Sequence, residues 1–241
     1  MLVAAAVCPC PPLLVPEVAA GAAPELTAAR AACADALGVL AAARPDLLVV
    51  VGPAEQPAGR VPYPAGATGS FRGFGVDLDV RLGGREAQEL SPPPPSLPPS
   101  LAVAAWLLTR TQWADAPLEG IGVGESLTPE QCVALGRELA ARAGRVALLV
   151  MGDGSACRSR KAPGYLDERA ADFDREAARA LGAADVEALK ALDASLSYEL
   201  KAAGRGPWQV LAGAAEGAGL AGQLLYEDAP YGVGYFVAAW S

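Results

Sequence analysis

No histidine occurs anywhere in the 241 residues. Histidine is the commonest metal ligand and the usual acid–base side chain near neutral pH. Its absence confines any metal to carboxylates, thiols or backbone oxygens. Any general base must be Asp, Glu, Cys, Lys or Tyr. Most hydrolase and metalloenzyme templates fall away on that count. Basic residues are also few: 19 Lys and Arg against 27 Asp and Glu give a net charge of −8. The densest basic group, Arg158, Arg160 and Lys161, is too small for phosphate-backbone binding, so no nucleic-acid partner is expected. No apolar run approaches the roughly 20 residues of a membrane span, and no membrane partner is expected. The short apolar start lacks the basic residues of a secretory leader. Five scattered cysteines, an odd number, suggest a reducing compartment, so the cytoplasm is the expected location.

What is present is ordinary for a folded soluble protein, with 52% hydrophobic and 19% charged residues. The length suits one large domain or two small ones. Residues 1–7, 46–51 and 145–151 are short apolar runs without polar alternation. That pattern marks strands buried on both faces of a parallel sheet. Residues 24–44, 101–113, 128–143, 167–181, 185–203 and 207–218 read as helices, with Thr128 and Gln131 forming a capping box.

Residues 118–124 form a glycine-punctuated strand, and 55–73 an irregular excursion. Residues 74–82 alternate as an edge strand, placing Asp77 and Asp79 toward water, with metal binding as the alternative. The proline-rich 91–100 reads as a stiff connector, with recruitment of a proline-binding module as the alternative. Residues 223–226 and 231–239 close the chain as a hairpin. The expectation is one α/β domain over 1–241: a central mixed, mostly parallel sheet with helices on both faces and a C-terminal β-hairpin.

Three of the buried strands end in loops marked by Gly or Pro: Cys8 to Pro12, Gly52 to Ala54, and Gly152 to Cys157. Such strand ends are where open α/β sheets place their ligands. The expected pocket comprises Cys8, Cys10, Glu17, Gly52, Pro53, Ala54, Gly152, Asp153, Ser155, Ala156, Cys157 and Tyr165. Asp153, Glu17 or Tyr165 could supply proton transfer. Cys33 and Cys132 fall inside apolar helices and read as core.

In combination, PCPPLLVPEV after strand one, VVVGPA after strand two, GDGSACR…APGYLDERAADFD after a later strand and the closing APYGVGYFV resemble the class III extradiol dioxygenase superfamily. That superfamily holds the LigB-type ring-cleaving enzymes and the Memo-like proteins. The likeness spans nearly the full length and keeps the motif order. It implies a single α/β domain, a pocket in which Fe(II) is held by two histidines and a glutamate, and a further acid–base histidine.

The resemblance places the two ligand histidines at Cys10 and Ala54, and the acid–base histidine at Ala156. For the acidic ligand, Glu199 and Glu216 are the candidates. Alanine offers no donor, and a thiol with one carboxylate does not make a 2-His-1-carboxylate iron site. No cofactor is expected on this reading. The domain then keeps its pocket for binding an unknown small molecule or for scaffolding. One alternative is a thiol-based site of Cys10, Cys8 and Cys157, holding zinc or acting in redox or as a nucleophile. Residual dioxygenase activity is the other. The resemblance also leaves a homo-oligomer open.

Overall fold

The structure, a computed structural model, describes residues 1–54, 59–83 and 95–241. The strands are β1 (Leu2–Cys8), β2 (Leu47–Ala54), β3 (Arg60–Tyr63), β4 (Thr68–Ser70), β5 (Asp79–Arg81), β6 (Leu118–Gly124), β7 (Val146–Met151), β8 (Gly222–Asp228) and β9 (Tyr235–Trp240). The helices are α1 (Pro16–Ala19), α2 (Thr27–Ala42), α3 (Pro99–Arg110), α4 (Pro129–Ala140), α5 (Ala170–Gly182), α6 (Val186–Lys190), α7 (Ala194–Glu199) and α8 (Arg205–Ala214).

Seven strands form the main sheet in the order β3-β6-β2-β7-β1-β9-β8. The four central strands, β6, β2, β7 and β1, pair in parallel. Antiparallel β3 closes one side, and the antiparallel pair β9 and β8 closes the other. This is the expected single α/β domain with a mixed, mostly parallel sheet and a C-terminal hairpin-like pair. Residues of β2 and β7 are buried on both faces, which explains why their sequences carry no polar alternation.

Two apolar layers sandwich the sheet. Ala4, Ala6, Leu48, Val50 and Leu149 pack under α2 and α3, while Val7, Val49, Val51, Leu148 and Val150 pack under α4, α5 and α8. α4 and α8 cross very closely. A Cβ on Gly136 would lie 2.0 Å from the Val210 carbonyl, and one on Gly213 would lie 2.1 Å from that of Val133. Helix packing is thus the work of Gly213. Trp240 is fully buried, and its indole Nε1 donates to the Leu181 carbonyl at 2.6 Å, fastening β9 to the end of α5.

Several boundaries differ from the sequence expectation. Residues 74–82 are not one strand. Only Asp79–Arg81 pairs, with β4, in a separate two-stranded sheet. Arg72 donates to both Asp77 (2.7 Å) and Asp79 (2.8 Å), and Gly75 turns at φ +83°, so the segment folds back on itself. Both aspartates face water.

Within the supposed excursion, β3 joins the main sheet at its edge. Edge placement tolerates Pro62, which has no N–H to donate. Residues 185–203 form two short helices because Asp185 and Asp193 each cap a new start, accepting from Ala188 N–H and Leu196 N–H. The expected 207–218 helix begins at Arg205, placing Pro207 in a first turn where its missing N–H costs no hydrogen bond. β8 reaches Asp228 and β9 begins only at Tyr235, so the turn lies later than expected. The first part of the proline-rich 91–100 stretch and residues 55–58 of the excursion lie outside the described residues.

Candidate functional site

The parallel strands all point their C-terminal ends the same way, so the loops after β1, β2, β6 and β7 gather at one edge of the sheet. A cleft of about 450 Å³ opens there. Its floor is Cys10 from the loop after β1, Pro53 and Ala54 from β2, and Val123 and Gly124 from β6. Pro99 and Ser100 at the start of α3 form one wall. Ala202, Ala203, Arg205, Gly206 and Pro207 form the other, with Glu125 and Ser126 at the side.

Local chemistry holds these walls. β7 pairs with β2 only as far as Val51, so Pro53 lies beyond that ladder. The Pro53 carbonyl accepts from the Ser100 hydroxyl at 2.6 Å, and Ser100 itself is buried. Gly52 sits under α3; a Cβ there would meet Ser100 Oγ at 2.8 Å. On the opposite wall, Arg205 is 6% exposed. Its Nη1 donates to Leu127 O (2.8 Å) and Gln209 Oε1 (3.1 Å), and Nη2 to Glu125 O (2.8 Å). It thereby binds the loop after β6 to α8. Gln209 continues the chain of bonds to the carbonyls of Lys190 and Leu192.

Beside the cleft floor, the Cys10 N–H donates to Asp153 Oδ1 at 2.8 Å. Burial pushes the Asp153 carboxyl up to about 7, although the Cys10 hydrogen bonds act the other way. Burial also raises the Cys10 thiol well above its ordinary value, and the neighbouring Asp153 charge raises it further. Tyr235 is raised first by burial and then by Asp153 and Cys10. A half-buried carboxyl able to change protonation near neutral pH therefore adjoins a thiol that stays protonated.

The other expected site residues disperse. Cys8 ends β1 in the layer beneath α2, where Cys33 contacts it and is itself raised well above the usual thiol range. Cys157 lies in the opposite layer, with Sγ 3.4 Å from Leu200 O. The expected trio Cys8, Cys10 and Cys157 is therefore split across the sheet. Ser155 is buried, donating to Leu200 O and accepting from Cys157 N–H. Ala156 is tied by its backbone to Leu200 and Gly164 and does not line the cleft. Gly152 abuts Gly204; a Cβ on it would lie 2.5 Å from the Gly204 Cα.

Glu17 is exposed, and Tyr165 is 62% exposed. Neither lines the cleft. Glu199 is an exposed partner of Arg169, and Glu216 is bound by Arg137 and Lys190 just past the far end of α8. Among the described residues, no three Cys, Asp or Glu converge as a metal-holding group. Sequence reasoning missed Ser100 and Arg205. Neither carries a motif, because each reaches the cleft only through the start of its helix.

No family model matches the chain, and no curated protein matches it either. Solved structures do. The crystal structure of an uncharacterized protein from Escherichia coli K12 aligns with a TM-score of 0.54, covering 99% of this chain and 99% of that one. At 14% sequence identity, the chain is similar to that protein in fold.

Proposed function

We propose that this chain is a protein of the class III extradiol dioxygenase kind whose iron-ligand histidines are replaced, and that it holds a small molecule in the strand-end cleft without cleaving rings. One observation carries the reading. Cys10 and Ala54, the positions matched to the two ligand histidines, both line the same cleft, yet alanine supplies no donor. The donor set does not fit ferrous iron, and no reaction step is routed through a metal. Glu199 and Glu216 are engaged in ion pairs away from the cleft. The acidic composition and absence of a basic patch favour a small-molecule partner over nucleic acid. No helix among the described residues is long and apolar enough to cross a membrane, and with five free cysteines a cytoplasmic location is part of the proposal.

Metal analysis of protein purified without chelators tests this reading, together with catechol and protocatechuate assays after anaerobic iron loading. The expected result is no stoichiometric metal and no ring-cleaved product. Stoichiometric iron or zinc that disappears in Cys10→Ser overturns it.

A second reading has its own observation. Asp153 sits at hydrogen-bond distance from the Cys10 backbone with a pKa of about 7, a value suited to general acid–base work. On that reading Asp153 moves a proton for a molecule in the cleft, and Cys10 shapes the floor. The Cys10 thiol, raised by burial and by Asp153, is a poor nucleophile.

A further inference from the structure

Arg205 is the feature of the cleft that packing alone leaves unexplained. The residue is more than nine-tenths buried, and its named oxygen partners are two backbone carbonyls and one side-chain amide, all neutral. Cys132 lies 3.9 Å from Nη1, and burial keeps that thiol up at about 11, so it brings no negative charge. No carboxylate among the described residues pairs with Arg205, in a chain that carries eight more acidic than basic side chains. The Glu125 carboxylate is not its partner; only the Glu125 carbonyl is. Buried charges are ordinarily neutralised by an opposite charge.

Nη1 has two oxygen partners and Nη2 has one, while the Nε–H donates to no group among the described residues. Nε and Nη2 are the edge of a guanidinium that can meet the two oxygens of a carboxylate, and Nη2 has a second hydrogen beyond the one given to the Glu125 carbonyl. Arg205 lines the cleft, and the N-termini of α3 and α8, neither with a side-chain cap, open on it too. Their free N–H groups add positive potential. The rest of the lining is mainly apolar, including Pro53, Ala54, Pro99, Val123 and Pro207.

We infer that the cleft takes a small monocarboxylate with an apolar body, its carboxylate seated on the Nε edge of Arg205 and its body against the prolines and Val123. This rests on the proposal that the cleft is a binding site, and it names the ligand class.

Titration calorimetry on the full chain with benzoate, its neutral isostere benzamide, and inorganic phosphate tests it. Benzoate should bind at least 10-fold more tightly than benzamide and phosphate, and its affinity should fall with added salt. Arg205→Lys keeps the charge and loses the fork, so it should weaken benzoate about 10-fold while changing benzamide little. Arg205 also holds the loop after β6, so a second variant guards against misfolding. Ala203→Trp alters an exposed position on the cleft wall and should abolish benzoate binding in a folded protein.

Benzamide binding as tightly as benzoate, and lost in Ala203→Trp, overturns the carboxylate inference and leaves the cleft a binding site. Phosphate matching benzoate overturns the apolar-body part. Benzoate binding untouched by Ala203→Trp, or no probe binding at all, overturns the inference together with the use of this cleft for such ligands.

Discussion

Asp153 and Asp174 both touch the loop that follows β7, one by belonging to it and one by reaching it from α5, and their surroundings are opposite in kind. The Asp174 side chain is fully enclosed; Oδ1 accepts from the Ser155 N–H at 2.7 Å, and Oδ2 from Arg158 at 2.8 Å. A Cβ on Gly234 would lie 2.4 Å from Oδ2, and one on Gly154 2.6 Å from Oδ1, so both glycines are the space the carboxyl fills. Asp153 is half-buried, and the Cys10 N–H is its donor, with no cation in contact among the described residues. Burial raises both carboxyls and a backbone donor opposes the shift in each, but Asp174 has a cation opposing it as well, whereas Asp153 is left at about 7. The first is built to hold the loop. The second is left free to titrate next to the cleft.

The largest effect expected from breaking this contrast is at Asp174. Asp174→Ala leaves Arg158 and the Ser155 N–H without their partner, and breaking one member of a buried pair costs about 3–5 kcal/mol. Urea unfolding should show that loss; a change under about 1 kcal/mol would mean that the network does not hold the loop.

Asp153→Asn should act in the opposite direction. The native state keeps the Asp153 proton to about pH 7, whereas an unfolded carboxyl loses it near 3.8. The stability due to that proton is full below the unfolded value and falls as pH rises through about 7, by at most about 4 kcal/mol at 1.36 kcal/mol per pH unit. Partial solvent access lowers this to about 2 kcal/mol. The asparagine variant should therefore be more stable than the native protein at pH 8 and similar at pH 4. Urea midpoints at the two values check it, and equal differences at both remove the titration account.

The thiols sharpen the same comparison. All five cysteines are buried, but Cys10 lines the cleft and Cys8, Cys33, Cys132 and Cys157 do not. At pH 8, labelling should find Cys10 first, yet more slowly than a free thiol, and Asp153→Asn should speed it several-fold by removing the neighbouring negative charge. Mass spectrometry of the labelled peptides reads the order; unchanged Cys10 kinetics would separate the thiol from Asp153. The smallest expected effect is at a site remote from both carboxyls. Thr128→Ala removes the capping box of α4 and should cost about 1 kcal/mol by thermal or urea unfolding.

The sequence was most legible where burial is uniform. The runs that became β2 and β7 are apolar on both faces, and a strand inside a covered parallel sheet is the element that such a short run fits. The strand-end loops pointed to Cys10, Pro53 and Ala54, and these three line one cleft because a parallel sheet brings those ends together whatever the loops contain. Legibility failed where tertiary contacts decide. β3 and β4 are too short for a period-two signal, and the Arg72 ion pairs that redirect residues 72–79 cross a turn. Tyr165 follows the same glycine-marked loop as Asp153 but projects into solvent. Nothing local marks Arg205 as buried, since the two carbonyls it binds lie about 80 residues earlier in the chain.

The position of β1 carries one more consequence. The first strand lies between β7 and β9, pairing with residues that begin at Val146 and again at Ala238. During synthesis it can form the first ladder only once Val146 has been made, and the second only once Ala238 has. Long-range pairings of this kind slow folding and leave an apolar strand edge open in the meantime. Until then Leu2–Cys8 is an apolar segment with neither edge paired. Keeping that segment from other chains is a demand of synthesis, distinct from the stability of the finished sheet.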